Sequence, residues 1–335
     1  MNDLHNSLLT FDTHIDIPWP DQGDAWSAEA ERQVNIPKTR QGGLGAVCLA
    51  AYIPQGQRDD ASHDAAWQRV REMLTVINAM EGEQNGQRAR ICRTARDVRQ
   101  ARADNALAIV PAIENGHALG GVPERLGQLA RAYGVRYMTL THNGHNALAD
   151  AAIPRKDLQD DPALHDGLSA LGQQTIREMN RHGVLVDVSH AAKSTMMQAS
   201  ELSRTPVFAS HSCARALCDH PRNLDDEQLD RLKETGGLIQ VTAMGSFLKK
   251  GGGGTLDDLV RHVTYIANRI GVEHVGISSD FDGGGGIDGW RDATETSNVT
   301  AALQKAGFSP DEISAIWGGN MLRLLERAEQ AMEQD

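Results

Sequence analysis

Aromatic residues and positive charge are both scarce in this chain. Only 4% of its 335 residues are Phe, Trp or Tyr, and 45 acidic residues outweigh 33 Lys and Arg to give a net charge of −12. Binding to a nucleic-acid backbone needs a basic surface, and single strands also need aromatic side chains for base stacking. The composition therefore argues against a nucleic-acid partner.

Long apolar runs and closely paired cysteines are also lacking. No stretch is apolar over the length of a transmembrane helix, and residues 1–6 have neither the positive charge nor the apolar core of a signal peptide. The four cysteines, Cys48, Cys92, Cys213 and Cys218, form no C-x-x-C pair and predict no disulfide framework. We therefore expect a cytoplasmic protein with reduced thiols and no membrane partner.

Short apolar segments alternate with helical segments along the chain. The candidate strands are rich in Val, Ile and Leu, as buried parallel strands are. They span residues 8–12, 46–51, 107–113, 137–140, 185–188, 207–210, 238–242 and 274–277. The predicted helices span residues 61–80, 94–103, 123–133, 169–181, 225–233 and 256–270, with Thr94 and Asp225 as candidate caps.

Eight strands that alternate with helices predict an α/β fold, namely a (β/α)8 TIM barrel. No linker is evident, so we interpret residues 1–335 as a single domain. A doubly wound open sheet is the alternative architecture. The glycine fingerprint of a dinucleotide-binding fold does not follow the first strand, which favours the barrel.

Metal-binding types of side chain follow six of the eight candidate strands. The chemistry of a TIM barrel lies at the carboxyl ends of its strands, so these side chains share one rim. The first strand leads into His14 and Asp16, which point the same way because they are two residues apart. The other candidates, each at the end of a different strand, are Glu114, His142, His190, His211 and Asp280.

This set of side chains is larger than one catalytic zinc ion needs. Such an ion usually takes three protein ligands and keeps one position open. The surplus predicts two metal ions with a bridging carboxylate, and a bound water whose pKa is lowered enough to make it a nucleophile. Imidazole and carboxylate ligands suit zinc, although cobalt or manganese would also fit.

Eight short motifs run in order through nearly the whole chain. They are DTHID at 12–16, IENG at 113–116, LTHN at 140–143, DVSH at 187–190, ASHS at 209–212, HPRN at 220–223, SDFDG at 279–283 and WGGN at 317–320. In these motifs the chain resembles the membrane (renal) dipeptidase family, peptidase family M19 of the amidohydrolase superfamily, and especially its soluble bacterial members. The resemblance implies a zinc-dependent dipeptidase on a TIM barrel, with a dipeptide as substrate.

The resemblance also implies a ligand set for two zinc ions per chain. His14 and Asp16 would bind one ion, and His190 and His211 would bind the other. Glu114 would bridge both ions together with a water or hydroxide.

Three further roles follow from the same resemblance. His142 would stabilise the developing oxyanion, and Arg222 would bind the C-terminal carboxylate of the substrate. Asp280 would orient the bridging water, pass its proton to the leaving amine and contact the substrate amine. The family also includes homodimers, and its members imply tolerance of L-Xaa-D-Xaa dipeptides and of β-lactams.

Other functions remain open at this stage. The same site would serve an N-acyl amino acid deacylase or another amidohydrolase, because Arg222 would bind that substrate too. A non-catalytic binding protein and a biosynthetic enzyme with a non-hydrolytic step are the remaining alternatives. Outside the proposed site, Asp282 is predicted to be a turn or supporting residue, and His5 and His262 are predicted to lie at the surface or at helix ends.

Overall fold

Eight parallel strands form the centre of the protein. The computed structural model describes residues 3–21 and 23–332. The strands are β1 (Phe11–Asp16), β2 (Ala46–Tyr52), β3 (Gly82–Gln84), β4 (Gln87–Ile91), β5 (Leu107–Glu114), β6 (Tyr137–Thr139), β7 (Leu185–Asp187), β8 (Phe208–Ser212), β9 (Leu238–Thr242) and β10 (Val275–Ser278). They pair in the order β1-β2-β5-β6-β7-β8-β9-β10, and the β3–β4 hairpin lies beside β5.

The two ends of this strand order meet and close the barrel. The Asp16 N–H donates to the Phe281 carbonyl and the Asp280 N–H donates to the His14 carbonyl, each over 3.0 Å from nitrogen to oxygen. Ile15 and Phe281 form a parallel bridge between the same segments. Closure confirms the predicted (β/α)8 TIM barrel and excludes the doubly wound open sheet.

Helices connect successive strands and pack against them. They are α1 (Asp3–Ser7), α2 (Ile36–Gly42), α3 (Asp60–Ala79), α4 (Ala95–Ala103), α5 (Arg125–Tyr133), α6 (Ala170–Arg181), α7 (Lys193–Leu202), α8 (Asp226–Thr235), α9 (Gly245–Leu248), α10 (Leu256–Ile270), α11 (Thr296–Lys305), α12 (Pro310–Ser314) and α13 (Asn320–Ala331). Short 3-10 turns occur at Gly116–Leu119, Lys156–Leu158, Val272–His274 and Ala293–Glu295, and a π-helical turn occurs at Ala315–Gly319. Thr94 and Asp225 cap α4 and α8 through capping boxes, as predicted. Within residues 3–21 and 23–332, no helix combines the length and the apolarity that crossing a bilayer requires.

The first strand lies further along the chain than the sequence pattern predicts. The apolar pattern placed it at residues 8–12, but β1 runs over Phe11–Asp16 and all six of its residues are buried. His14 and Asp16 therefore project from within a strand that is paired with β2, which holds them rigidly.

Polar side chains meet inside the barrel, where many TIM barrels carry only branched aliphatic residues. His14 on β1 lies 2.8 Å from the Tyr137 hydroxyl on β6, although these strands are not neighbours in the sheet. Asp187 on β7 accepts hydrogen bonds from Thr139 on β6 and Ser210 on β8. A hydrogen-bonded network thus lies directly beneath the carboxyl ends of the strands.

Candidate active site

The eight predicted site residues meet at one end of the barrel. Seven of them line a cavity of about 390 Å³: Asp16, Glu114, His142, His190, His211, Arg222 and Asp280. The eighth, His14, is fully buried, and its Nε2 atom is 3.8 Å from Glu114 Oε1. The structure therefore brings together every residue that the sequence predicts for the site.

Glu114 is at the centre of the group. Its Oε1 atom lies 3.0 Å from His190 Nε2, 3.4 Å from His211 Nε2 and 3.9 Å from His142 Nε2. Two groups of potential metal ligands share this carboxylate, one with His14 and His211 and the other with His142 and His190. A carboxylate shared by two groups is the arrangement that a bridging ligand requires.

Two further carboxylates approach the same histidine. Asp16 Oδ1 and Asp280 Oδ1 lie 3.7 Å and 3.9 Å from His14 Nε2. Burial raises the pKa of Asp280 to about 7, and burial together with the neighbouring carboxylates raises the pKa of Asp16 and of Glu114 well above the ordinary range. Three buried carboxylates in one place are unfavourable together unless cations accompany them.

Hydrogen bonds fix which ring nitrogen of each buried histidine faces the site. The Tyr137 hydroxyl donates its proton to the Thr13 carbonyl, so it accepts from Nδ1–H of His14. Asn143 Oδ1 lies 3.0 Å from His190 Nδ1 and accepts in the same way. Each of these rings therefore presents a bare Nε2 lone pair to the site, as a metal ligand does.

His211 is held in the same tautomer by a serine. Ser210 Oγ donates to Asp187 Oδ2 over 2.6 Å and lies 2.7 Å from His211 Nδ1. The hydroxyl has one proton, so it accepts from Nδ1–H of His211. The Nε2 atoms of His190 and His211 then face each other over 2.9 Å with two lone pairs.

Some buried polar atoms of the site have no hydrogen-bond partner among the described residues. His14 Nε2 and Asp16 Oδ1 are two such atoms. Such atoms are costly to bury unless an ion satisfies them. Burial lowers the pKa of His14 to about 3 and that of His190 and His211 well below the ordinary value, with the Arg222 charge contributing. Neutral imidazoles and carboxylates converging in this way fit divalent metal ions of the zinc type.

His142 differs from the other three histidines. Its side chain is 22% exposed, and in the described part of the chain no hydrogen bond to its ring nitrogens is present. The ring lies against Tyr52, with centroids 4.7 Å apart, and against His190 at 4.1 Å. Burial lowers the pKa of His142 to about 3, so the neutral ring faces the cavity as a possible hydrogen-bond donor.

Arg222 supplies a positive charge to the cavity. It is only 3% exposed, and its guanidinium carbon lies 5.3 Å from the centroid of the Phe247 ring. One hydrogen bond, from Nη2 to the His211 carbonyl at 3.3 Å, holds it, while its Nε has no partner among the described residues. Burial lowers the pKa of Arg222 to about 10, which leaves it charged at neutral pH. Its remaining N–H groups are available to an anionic ligand.

Two residues with strained backbone and one glycine shape the site around His190 and Asp280. His190 and Asp280 have φ angles of +63° and +58°, a region that non-glycine residues enter at a cost and that is frequent at functional sites. A Cβ atom on Gly283 would lie 2.6 Å from Asp280 Oδ1 and 2.7 Å from Asp16 Oδ2. Only glycine therefore leaves room for both carboxylates.

Asp282 is next to the site but faces away from it. Its carboxylate accepts hydrogen bonds from the backbone N–H groups of Gln33 and Val34, at 2.8 Å and 3.2 Å. It thereby holds the segment after β1 against the glycine-rich loop that follows β10. This contact matches the predicted supporting role.

Sequence reasoning missed the residues that orient the histidines and misplaced one other. Tyr137, Asn143, Asp187 and Ser210 received no role, although polar residues inside otherwise apolar strands were a usable signal. His5 lies in the last turn of α1, at a helix end as predicted, although it is buried, whereas the prediction for His262 is wrong, because it is buried in the middle of α10. Their rings bond to backbone carbonyls, those of Gly42 at 2.9 Å and Leu248 at 3.0 Å, respectively.

Comparison with known proteins identifies the family. The sequence profile described as membrane dipeptidase (peptidase family M19) matches residues 1–335. The chain belongs to this family of dipeptidases. The dipeptidase tcpJ of Claviceps purpurea (strain 20.1) is 34% identical over 302 residues, which cover 88% of this chain and 69% of that protein. M19 is a metallopeptidase family, so membership implies metal ions, and the two ligand groups around Glu114 are candidates to hold them.

Solved structures of relatives have the same fold. The probable dipeptidase PvdM from Pseudomonas aeruginosa superposes with a TM-score of 0.93 at 28% identity and covers 98% of this chain and 97% of that one. A metallopeptidase from Rhodobacter sphaeroides, solved with a phosphinate mimic of the dipeptide L-Ala-D-Ala, gives a TM-score of 0.84 at 25% identity. That match covers 96% of this chain and 99% of the other.

Proposed function

We propose that this protein is a binuclear zinc dipeptidase that hydrolyses the single peptide bond of dipeptides, L-Xaa-D-Xaa dipeptides included. The observation that carries the proposal is the convergence of three Nε2 lone pairs and three buried carboxylates beside one buried arginine. Membership of a dipeptidase family, together with this donor set in the chain itself, supports metal-dependent hydrolysis. The mimic of L-Ala-D-Ala bound to the Rhodobacter relative supports the stereochemical part.

The ligands divide between two ions. His14 and Asp16 would hold one ion, and His190 and His211 the other, with Glu114 shared. This division differs from the two close groups around Glu114, which place His211 with His14 and include His142. We leave His142 out because no hydrogen bond from the described residues orients its ring as a ligand. When bound, the ions would supply Lewis acidity. They would also lower the pKa of a water molecule bound beside Glu114.

The chain's own residues position a dipeptide in the cavity. Arg222 binds the C-terminal carboxylate of the substrate through two parallel N–H donors. Tyr52, Ile153, Met244 and Phe247 contribute the less polar walls, which contact the substrate side chains. The scissile carbonyl then lies between Arg222 and the centre of the site.

Hydrolysis of the peptide bond needs one group that accepts a proton from the attacking water and one group that donates a hydrogen bond to the oxyanion. Asp280 takes a proton from the attacking water and delivers it to the leaving amine as the C–N bond breaks. The neutral His142 ring donates an N–H to the carbonyl oxygen as negative charge develops there. Asp280 also accepts from the substrate amine before the reaction.

The proposal has further parts. A single domain over residues 1–335 and a cytoplasmic setting rest on the sequence, and a homodimer rests on the family resemblance. Size-exclusion chromatography with light scattering measures the oligomeric state. A monomer at micromolar concentration would remove the homodimer from the proposal.

A substrate panel tests the proposed activity. It pairs each L-Xaa-L-Xaa dipeptide with its L-Xaa-D-Xaa partner and includes the matching N-acyl amino acids, with His190→Ala as the blank. We expect the zinc-loaded protein to hydrolyse dipeptides of both kinds and the variant to hydrolyse none. Turnover of N-acyl amino acids with no turnover of dipeptides would replace the proposal with a deacylase.

A further inference from the structure

A fully buried carboxylate lies beneath the candidate metal ligands without contacting the cavity. Asp187 Oδ1 accepts from the backbone N–H groups of Ser189 and Ser210, at 3.0 Å and 2.9 Å. Its Oδ2 accepts from the hydroxyls of Thr139 and Ser210, both at 2.6 Å. Four donors around one carboxylate leave it only the role of acceptor.

The Ser210 hydroxyl proton is therefore directed at Asp187. Its other acceptor, Ser189 Oγ, lies at 3.4 Å, much further than the 2.6 Å contact to the carboxylate. The Ser210 oxygen is left to accept, and His211 Nδ1 is 2.7 Å away. His14 Nδ1 lies 3.4 Å from the same oxygen, so one hydroxyl contacts a histidine of each proposed metal site.

We propose that Asp187 is a positioning residue that acts through Ser210 to hold His211 in the tautomer whose Nε2 is free to bind metal. The inference rests on the proposed function in taking His211 as a metal ligand. The tautomer itself is a property of the metal-free protein, which allows it to be measured without any substrate.

The geometry predicts that Asp187→Asn reverses the hydrogen-bond directions. The side facing two backbone N–H groups must keep an oxygen, so the amide NH₂ would face the hydroxyls of Thr139 and Ser210. The NH₂ group donates to Ser210 Oγ, whose own proton then turns to His211 Nδ1. His211 would keep its proton on Nε2, where it blocks metal binding. Ser210→Ala removes the hydroxyl that accepts from His211 Nδ1–H, so the proton is no longer held on either ring nitrogen.

Ring nitrogen shifts measure this directly. Histidine labelled with ¹⁵N in the metal-free protein distinguishes Nδ1–H from Nε2–H by two-bond ¹H–¹⁵N correlation. We expect His211 to be Nδ1–H in the wild type, Nε2–H in Asp187→Asn and a mixture in Ser210→Ala. Ser212→Ala, which removes another buried hydroxyl from β8 without touching the His211 ring, is the matched control and keeps the wild-type pattern.

Zinc affinity, measured by competition with a chelator, is the second readout. Changes in groups that orient metal ligands typically weaken binding by about 10- to 100-fold. We expect Ser210→Ala to fall in this range, Asp187→Asn to lose more and Ser212→Ala to match the wild type. A cooperative unfolding transition of each metal-free variant confirms that the variant is folded. If Asp187→Asn does not fold, the tautomer measured in Ser210→Ala decides whether the inference stands.

Two results would overturn the inference. One is an unchanged Nδ1–H tautomer in both Asp187→Asn and Ser210→Ala. The other is a changed tautomer with wild-type zinc affinity, because His211 would then not be positioned for metal. A wild type that binds zinc but cleaves no dipeptide would refute the proposed activity and would leave this inference intact.

Discussion

Replacing Arg222 with methionine removes the buried cation that we assign to the substrate carboxylate. Methionine keeps much of the side-chain volume, so the packing against Phe247 is largely retained. Arg222 as a whole is 3% exposed and its guanidinium makes one hydrogen bond of 3.3 Å, so most of its donors are free for a ligand. A substrate carboxylate bound there would be shielded from water, and losing its partner would leave that charge buried.

The size of the effect follows from this burial. Removing one member of a buried, hydrogen-bonded charge pair costs about 2–5 kcal/mol. At about 1.4 kcal/mol per factor of ten, kcat/KM for a free dipeptide should fall by about 30- to 3000-fold. Arg222 also lowers the pKa of Glu114 and of Asp280, so part of the loss will be common to every substrate.

A neutral substrate separates the two contributions. The assay measures kcat/KM of the wild type, Arg222→Met and Arg222→Lys on a dipeptide and on its C-terminal amide. We expect the wild type to prefer the free dipeptide strongly, Arg222→Met to lose that preference and Arg222→Lys to keep part of it. Equal losses on the two substrates in Arg222→Met would refute the assignment, since the charge would then act on the site and not on the carboxylate.

Three further predictions concern the oxyanion donor, the glycine-rich loop and pH. His142→Phe, which keeps a ring but has no N–H donor, should lower kcat by about 10²- to 10³-fold while zinc content and KM stay unchanged, whereas loss of zinc would make His142 a ligand. Gly283→Ala should displace the carboxylates of Asp16 and Asp280, which its Cβ would approach within 2.7 Å and 2.6 Å, and weaken zinc binding at least about tenfold. Gly45→Ala, whose Cβ meets nothing closer than 3.6 Å, is the control. The metal-free protein should lose thermal stability as pH rises above about 7.5 and the zinc-loaded protein should not, as calorimetry can measure.

The sign of the pH prediction follows from opposite shifts. The buried histidines have lowered pKa values, so they add stability as pH rises through 6.5 and add little above about pH 7.5, where the unfolded histidines are also neutral. Asp16 and Glu114 have pKa values raised well above their ordinary range, so above about pH 7.5 the unfolded chain binds fewer protons than the folded chain. Stability therefore falls with rising pH until cations replace the protons. A metal-free protein that becomes more stable as pH rises above about 7.5 would contradict the account.

The sequence was sufficient for the barrel and for the eight polar residues that meet at one end of it. Apolar strands alternating with helices have few other solutions, and polar residues after such strands must share a rim. The motif resemblance supplied Arg222, which follows β8 in a loop and which no periodicity would select. The structure brings all eight predicted residues together, while their roles as ligands and catalysts remain predictions.

What the sequence did not provide depends on contacts across the barrel. The end of β1 was misplaced because Thr13, His14 and Asp16 are polar, and only partners on other strands make them fit a buried strand. Asp187 and Ser210 belong to two of the sequence motifs, but a motif does not show what their side chains contact. Their hydrogen-bond directions depend on distances of a few tenths of an ångström, which no sequence pattern specifies.

The most direct test of the central claim is a zinc titration of the metal-free protein, with bound zinc and hydrolysis of one dipeptide measured on the same samples. We predict no hydrolysis without metal and a plateau of activity at two zinc ions per chain, as expected for two ions that share Glu114. Full activity after complete removal of metal would contradict the claim. So would two bound zinc ions in a protein that hydrolyses no dipeptide.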